Sequence, residues 1–164
     1  MDFLEVSKQL TKDELIEIEN ELDISFTKDF KEHYLENNGG YPVKRYFLWP
    51  DEAKTRINHF FSIKYEGFSQ LEAAYDNLFI TEQILPFGFL PFASDDGGDF
   101  FCISTLPDSY NKVFFCDMHH YDEEVIENYI TPISNSFKEF IENLVDEWYQ
   151  LPLLYHFYLQ FIAN

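Results

Sequence analysis

Positive charge is scarce in this chain. Its 164 residues carry 11 Lys and Arg against 30 Asp and Glu, a formal charge of −19. Such a field repels nucleic-acid phosphates and anionic membrane surfaces, because binding them depends on Lys and Arg displacing counterions. It draws in basic partners and speeds their encounter, and it keeps an apolar-rich chain soluble. Cysteine is nearly absent as well. Cys102 and Cys116 both sit inside apolar runs, which excludes a disulfide framework and a CxxC metal site. Met1, Asp2, Phe3, Leu4 and Glu5 lack the basic start and long apolar run of a signal peptide. Residues 151–163 are apolar, but Pro152, His156 and Gln160 interrupt them, far short of the roughly 20 residues of a membrane span. The expectation is a cytoplasmic protein with reduced thiols, bound neither to membrane nor to nucleic acid. Patterns of known catalysis are missing too: there is no GxSxG, no Walker A and no Rossmann glycine run.

What the chain has in quantity is aromatic side chain, 20% of all residues, with 19 Phe. Aromatics supply the burial that offsets ordering entropy, so the chain folds, and its length fits a single domain over residues 1–164. Thr11, Lys12, Asp13 and Glu14 form a T-x-x-E capping box, with Leu15, Ile18 and Leu22 on one helical face behind it. A second helix is expected over residues 28–37, presenting Phe30 and Tyr34, and Asn38, Gly39 and Gly40 stop it. Strand-like runs cover residues 46–49 and 59–65, and a helix capped by Ser69 covers residues 69–78. Pro86, Gly88 and Pro91 mark residues 85–92 as an irregular strand entry. Residues 99–106 and 112–118 predict a hairpin centred on Ser109, with Cys102 opposite Cys116 and Ile103 beside Phe115. Both faces of that hairpin should be covered, since neither is polar. A short strand over residues 129–133 follows. A second capping box, Ser136 to Glu139, then opens a helix with Phe137, Phe140, Ile141, Leu144, Val145 and Trp148 on its apolar stripe.

Three clusters could carry chemistry. Residues 117–124 gather Asp117, His119, His120, Asp122, Glu123 and Glu124, ligand types suited to Zn or Mn. Adjacent residues at a strand end point to opposite sides, however, so His119 and His120 do not readily share an ion. Asp95, Asp96, Gly97, Gly98 and Asp99 resemble a calcium loop superficially, but an EF-hand spreads its ligands over 12 positions. The paired glycines fit a tight turn better. Cys102, between Phe101 and Ile103, reads as a buried structural thiol rather than a nucleophile. The expectation is no enzyme activity, no cofactor and no metal.

Four stretches, taken in order, resemble the SUKH superfamily of bacterial immunity proteins and cell-wall-assembly regulators. They are the helix with Glu14, Ile18 and Glu21 leading to Leu22, Asp23 and Ile24; residues 30–42, with Asn38, Gly39, Gly40 and Pro42; residues 90–103, with Pro91, Phe92, Ala93 and Gly98; and residues 113–117 followed by Ser136 and Phe137. The likeness spans residues 11–149 and leaves residues 150–164 as an apolar extension. Phe26 and Thr27 stand where many members have Leu-Pro. The resemblance implies an α+β fold, a mainly antiparallel sheet with helices packed at its N- and C-terminal ends. It implies a role in neutralising a cognate protein toxin, often a nuclease, by direct binding, the protein being a monomer or weak homodimer. A non-catalytic adaptor for a cellular protein and a small metal-dependent enzyme built on residues 119–124 are the alternatives. The residues expected to face the toxin are the six carboxylates of two acidic loops, Asp95, Asp96, Asp99, Asp122, Glu123 and Glu124, because loops on a rigid sheet commonly carry recognition.

Overall fold

The computed structural model describes residues 1–147; the expectations for Trp148 and for residues 150–164 lie outside them. The capping box opens α1 (Lys12–Leu22): Thr11 Oγ1 accepts from Glu14 N–H, and the Glu14 carboxylate accepts from Thr11 N–H. Leu15 and Ile18 are buried from that helix, and Asp23 closes it in the left-handed conformation at φ 53°. Helix α2 (Lys28–Glu36) buries Phe30 and Tyr34. Gly39 and Gly40 then turn the chain at φ +73° and +83°. A Cβ on Gly40 would lie 2.3 Å from the Leu4 carbonyl oxygen, so only glycine fits where β1 (Phe3–Leu4) pairs with β2 (Tyr41–Pro42).

Six further strands form one antiparallel sheet in sequence order: β3 (Tyr46–Leu48), β4 (Lys54–Phe60), β5 (Phe89–Asp95), β6 (Phe100–Ser104), β7 (Val113–Cys116) and β8 (Ile130–Ser134). The fold is therefore α+β, as expected. Its edges curl toward each other. Residues of β3 and of β8, Phe47, Leu48, Ile133 and their neighbours, line one cleft of about 510 Å³, and the Trp49 ring meets that of Phe115 at 5.3 Å. Pro91 is accommodated in central β5 because the register with β6 shifts between Pro91 and Ala93, the kind of bulge at which a missing N–H is tolerated. The bulged residue, Phe92, is fully buried among Phe30, Phe60, Phe101, Phe137 and Phe140. This is the main core, closed by α1, α2 and α4 (Phe137–Glu142). A second apolar cluster, including Leu78, Leu85, Phe89, Cys102, Cys116 and Tyr129, covers the other face of β6 and β7.

Several local expectations are corrected. The fourth strand begins at Lys54 rather than at residue 59, and Phe61, Ser62 and Ile63 leave the ladder to pack in the core. Ser69 caps no helix; its carbonyl accepts from Ser62 N–H and Oγ, and α3 (Leu71–Tyr75) starts after Gln70 and widens into a π-helical turn over Asp76–Thr81. At α4 the Ser136 hydroxyl accepts from Glu139 N–H, but the Glu139 carboxylate reaches back to Asn135 N–H and Ser134 Oγ, so the box is only half formed. The hairpin pairs antiparallel with a register displaced by two residues from expectation: Cys102 faces Phe114, and Phe101 faces Phe115. A 3₁₀ turn at Pro107–Ser109 and left-handed Asn111 (φ 67°) close the loop one residue earlier. Because side chains alternate with period two, the displacement keeps every residue on its expected face. Cys102 and Cys116 remain neighbours diagonally, Sγ to Sγ 3.3 Å, as free buried thiols; burial foremost pushes the Cys102 thiol well above its ordinary range.

Candidate functional site

Strand order gathers three turns at one end of the sheet. Strands β3, β5 and β7 run toward this end, and β4, β6 and β8 run away from it. The connecting residues 49–53, 95–99 and 117–129 contain two, three and five carboxylates respectively, ten of the chain's 30, and no Lys or Arg. Both acidic loops singled out from the sequence are here, in contact: Met118 N–H donates to Asp99 Oδ1 at 2.8 Å.

The six carboxylates divide by what holds them. Asp95 Oδ1 accepts from the N–H groups of Gly97 and Asp99, both at 2.8 Å, so it shapes the turn. Burial, and then the nearby charge of Asp99, raises its pKa. Asp96 is exposed and ion-paired to Arg56 at the start of β4, Oδ2 to Nη1 2.6 Å. Asp99 is 9% exposed and turned inward. Asp122 Oδ1 accepts from Glu124 and Val125 N–H and its Oδ2 from Asn128 Nδ2, bonds that lower its pKa. Glu123 and Glu124 are exposed to solvent. Asp96, Glu123 and Glu124 are thus presented outward, while Asp95, Asp99 and Asp122 build the loops that present them.

Asp51 and Glu52, both exposed in the β3–β4 turn, join the same end of the sheet and were missed from the sequence. Only strand order reveals their neighbourhood. Met118, His119 and His120 form a 3₁₀ turn rather than a strand end, so the argument that adjacent side chains diverge does not apply. His120 Nδ1 lies 2.8 Å from Asp117 Oδ2, while His119 Nδ1 lies 3.4 Å from Asp99 Oδ1 and 4.0 Å from Asp117 Oδ1. Asp117 feels burial pushing its pKa up, but the hydrogen bond and charge of His120 hold it below the ordinary value. In the β5–β6 turn Asp95 is engaged with backbone N–H groups, an arrangement of a capped turn rather than of a calcium loop.

The chain matches the SMI1 / KNR4 family (SUKH-1) over residues 9–143. It belongs to the SUKH-1 family. A search of curated proteins finds no match. The SUKH-1 domain is known in immunity proteins, and the family is generally non-catalytic. The matched span contains α1 through α4 and ends one residue past α4, so the sheet and its acidic turns all lie within the SUKH-1 domain. Among the described residues, no helix is long and apolar enough to cross a membrane.

Proposed function

We propose that this SUKH-1 protein is a cytoplasmic immunity protein that binds and neutralises a cognate bacterial toxin, a basic nuclease domain, without catalysis. The observation that carries this reading is the end of the sheet where three adjoining turns hold ten carboxylates and no Lys or Arg. A nuclease holds its substrate through Lys and Arg on its own surface. A rigid acidic edge complements that surface, steers the encounter and competes for the same cations. Asp96, Glu123 and Glu124, with Asp51 and Glu52, make the contacts; Asp95, Asp99 and Asp122 fix the loop conformations that aim them. Preordered loops lower the entropic cost of binding.

Co-expression with a toxin encoded beside its gene tests the reading. The wild-type protein should restore growth and co-purify with the toxin. The combined variant Asp96→Asn, Glu123→Gln, Glu124→Gln should fold normally and rescue poorly. Failure of the wild-type protein to rescue would favour an adaptor that binds a cellular protein instead.

A further inference from the structure

From the convergence of Asp99, Asp117 and His119 we infer a binding site for a first-row transition dication, with zinc as its natural probe. The three residues come from two neighbouring turns: Asp99 just before β6, and Asp117, which caps the 3₁₀ turn after β7, with His119 inside that turn. Their donor atoms all lie within 4.8 Å of one another. His119 Nδ1 stands 3.4 Å from Asp99 Oδ1 and 4.0 Å from Asp117 Oδ1. Ligands about 2.0–2.1 Å from a tetrahedral zinc are about 3.4 Å apart, so the first pair needs no movement and the second only tenths of an ångström.

The cluster is supported from outside as metal ligands are. Asp117 offers Oδ1 inward, while its Oδ2 is held by His120 Nδ1 at 2.8 Å, an outer-shell carboxylate–histidine contact. Backbone N–H groups of Met118 and His119 fix Asp99 Oδ1 and Asp117 Oδ1 at 2.8 and 3.0 Å. Each oxygen keeps a lone pair free for a cation. The Asp99 and Asp117 side chains are 12% and 34% exposed, so the charges are partly removed from water, while the His119 side chain is 70% exposed and leaves a path for entry. The ion pairs reaching these carboxylates come from His119 and His120 rather than from a fixed cation. One imidazole among two carboxylates selects against Ca²⁺ and Mg²⁺, which take oxygen ligands. A bound dication would pin β6, β7 and the 3₁₀ turn together and cancel part of the charge at the acidic end.

Isothermal titration of the untagged full-length chain with zinc chloride near neutral pH tests the site, with magnesium and calcium chloride as controls. The expected result is one zinc per chain, with affinity at least tenfold weaker in His119→Ala and in Asp99→Asn, and little heat from magnesium or calcium. Asn retains the oxygen that accepts from Met118 N–H, and His119 is exposed enough for its removal to leave the fold intact, which a melting curve verifies. His120→Ala should bind zinc more weakly than wild type but still bind it. Absence of zinc binding by the wild-type chain, or wild-type affinity in His119→Ala, would overturn the inference.

Discussion

His33 on α2 links acidification to unfolding in a way that one substitution isolates. Its ring is packed by Phe3, Tyr34, Phe60 and Phe137, with centroid distances of 4.7 to 5.7 Å, and its Nε2 is enclosed without a hydrogen-bond partner. Burial lowers its pKa from 6.5 to about 3. The folded state therefore excludes a proton that the unfolded chain accepts. The contribution is fully present above pH 6.5 and is lost as pH falls from 6.5 toward 3. Each pH unit in that window costs about 1.4 kcal/mol, so moving from pH 7.5 to 4.5 removes roughly 2–3 kcal/mol. In urea titrations this moves the midpoint by about 1–2 M. The carboxylates contribute their own pH dependence, so the informative quantity is the difference between wild type and His33→Phe, which places a ring that cannot be protonated among the same aromatics. The variant should gain roughly 2–3 kcal/mol on wild type between pH 7.5 and 4.5. Parallel stability curves for the two proteins across that range would refute a His33 held neutral by its enclosed Nε2.

Glu72 should show the opposite pH trend: one carboxylate oxygen accepts from Lys64 N–H, the other is enclosed without a partner, and burial raises its pKa. Stability from a raised carboxyl is present below its usual pKa and lost as pH rises through the raised one, so Glu72→Gln should gain on wild type as pH rises from 4 to 7 in the same urea titration. Gly40→Ala forces a Cβ against the Leu4 carbonyl at positive φ and should cost about 2 kcal/mol or more in thermal denaturation. Phe92→Ala empties the junction of five phenyl rings and should cost about 3–5 kcal/mol by chemical denaturation, with loss of near-ultraviolet dichroism.

Much of the fold is written in short-range signals. The Thr11–Glu14 capping box and the Ser136 cap each depend on bonds spanning a few residues, and the α1 and α2 boundaries follow within a residue. Where tertiary contacts decide, local patterns mislead. Phe60, Phe61 and Ile63 look like one strand, and Phe61 N–H still donates across to the Phe92 carbonyl of β5, but Ser62 N–H donates to the Ser69 carbonyl and Ile63 N–H to the Asn38 side chain, which draws the chain out of the ladder. The apolar alternation of β6 and β7 fixes which face each residue takes, while the two-residue register depends on the 3₁₀ turn between them.

The candidate site divides in the same manner. Both acidic turns are visible in sequence because Asp and Gly cluster there. Their contact through Asp99 and Met118, the addition of Asp51 and Glu52, and the meeting of Asp99 with His119 across 20 positions depend on strand order, which no local pattern encodes.

The most direct test of an acidic toxin-facing edge is association kinetics with the purified cognate toxin at several salt concentrations. Rim charges act mainly on the encounter rate and are screened within about 8 Å at physiological ionic strength. The association rate should fall steeply as salt rises. In the Asp96→Asn, Glu123→Gln, Glu124→Gln variant the rate should be slower and less dependent on salt, with the dissociation rate changed less. An association rate independent of salt and unaffected by neutralising these residues would place the interface elsewhere on the protein.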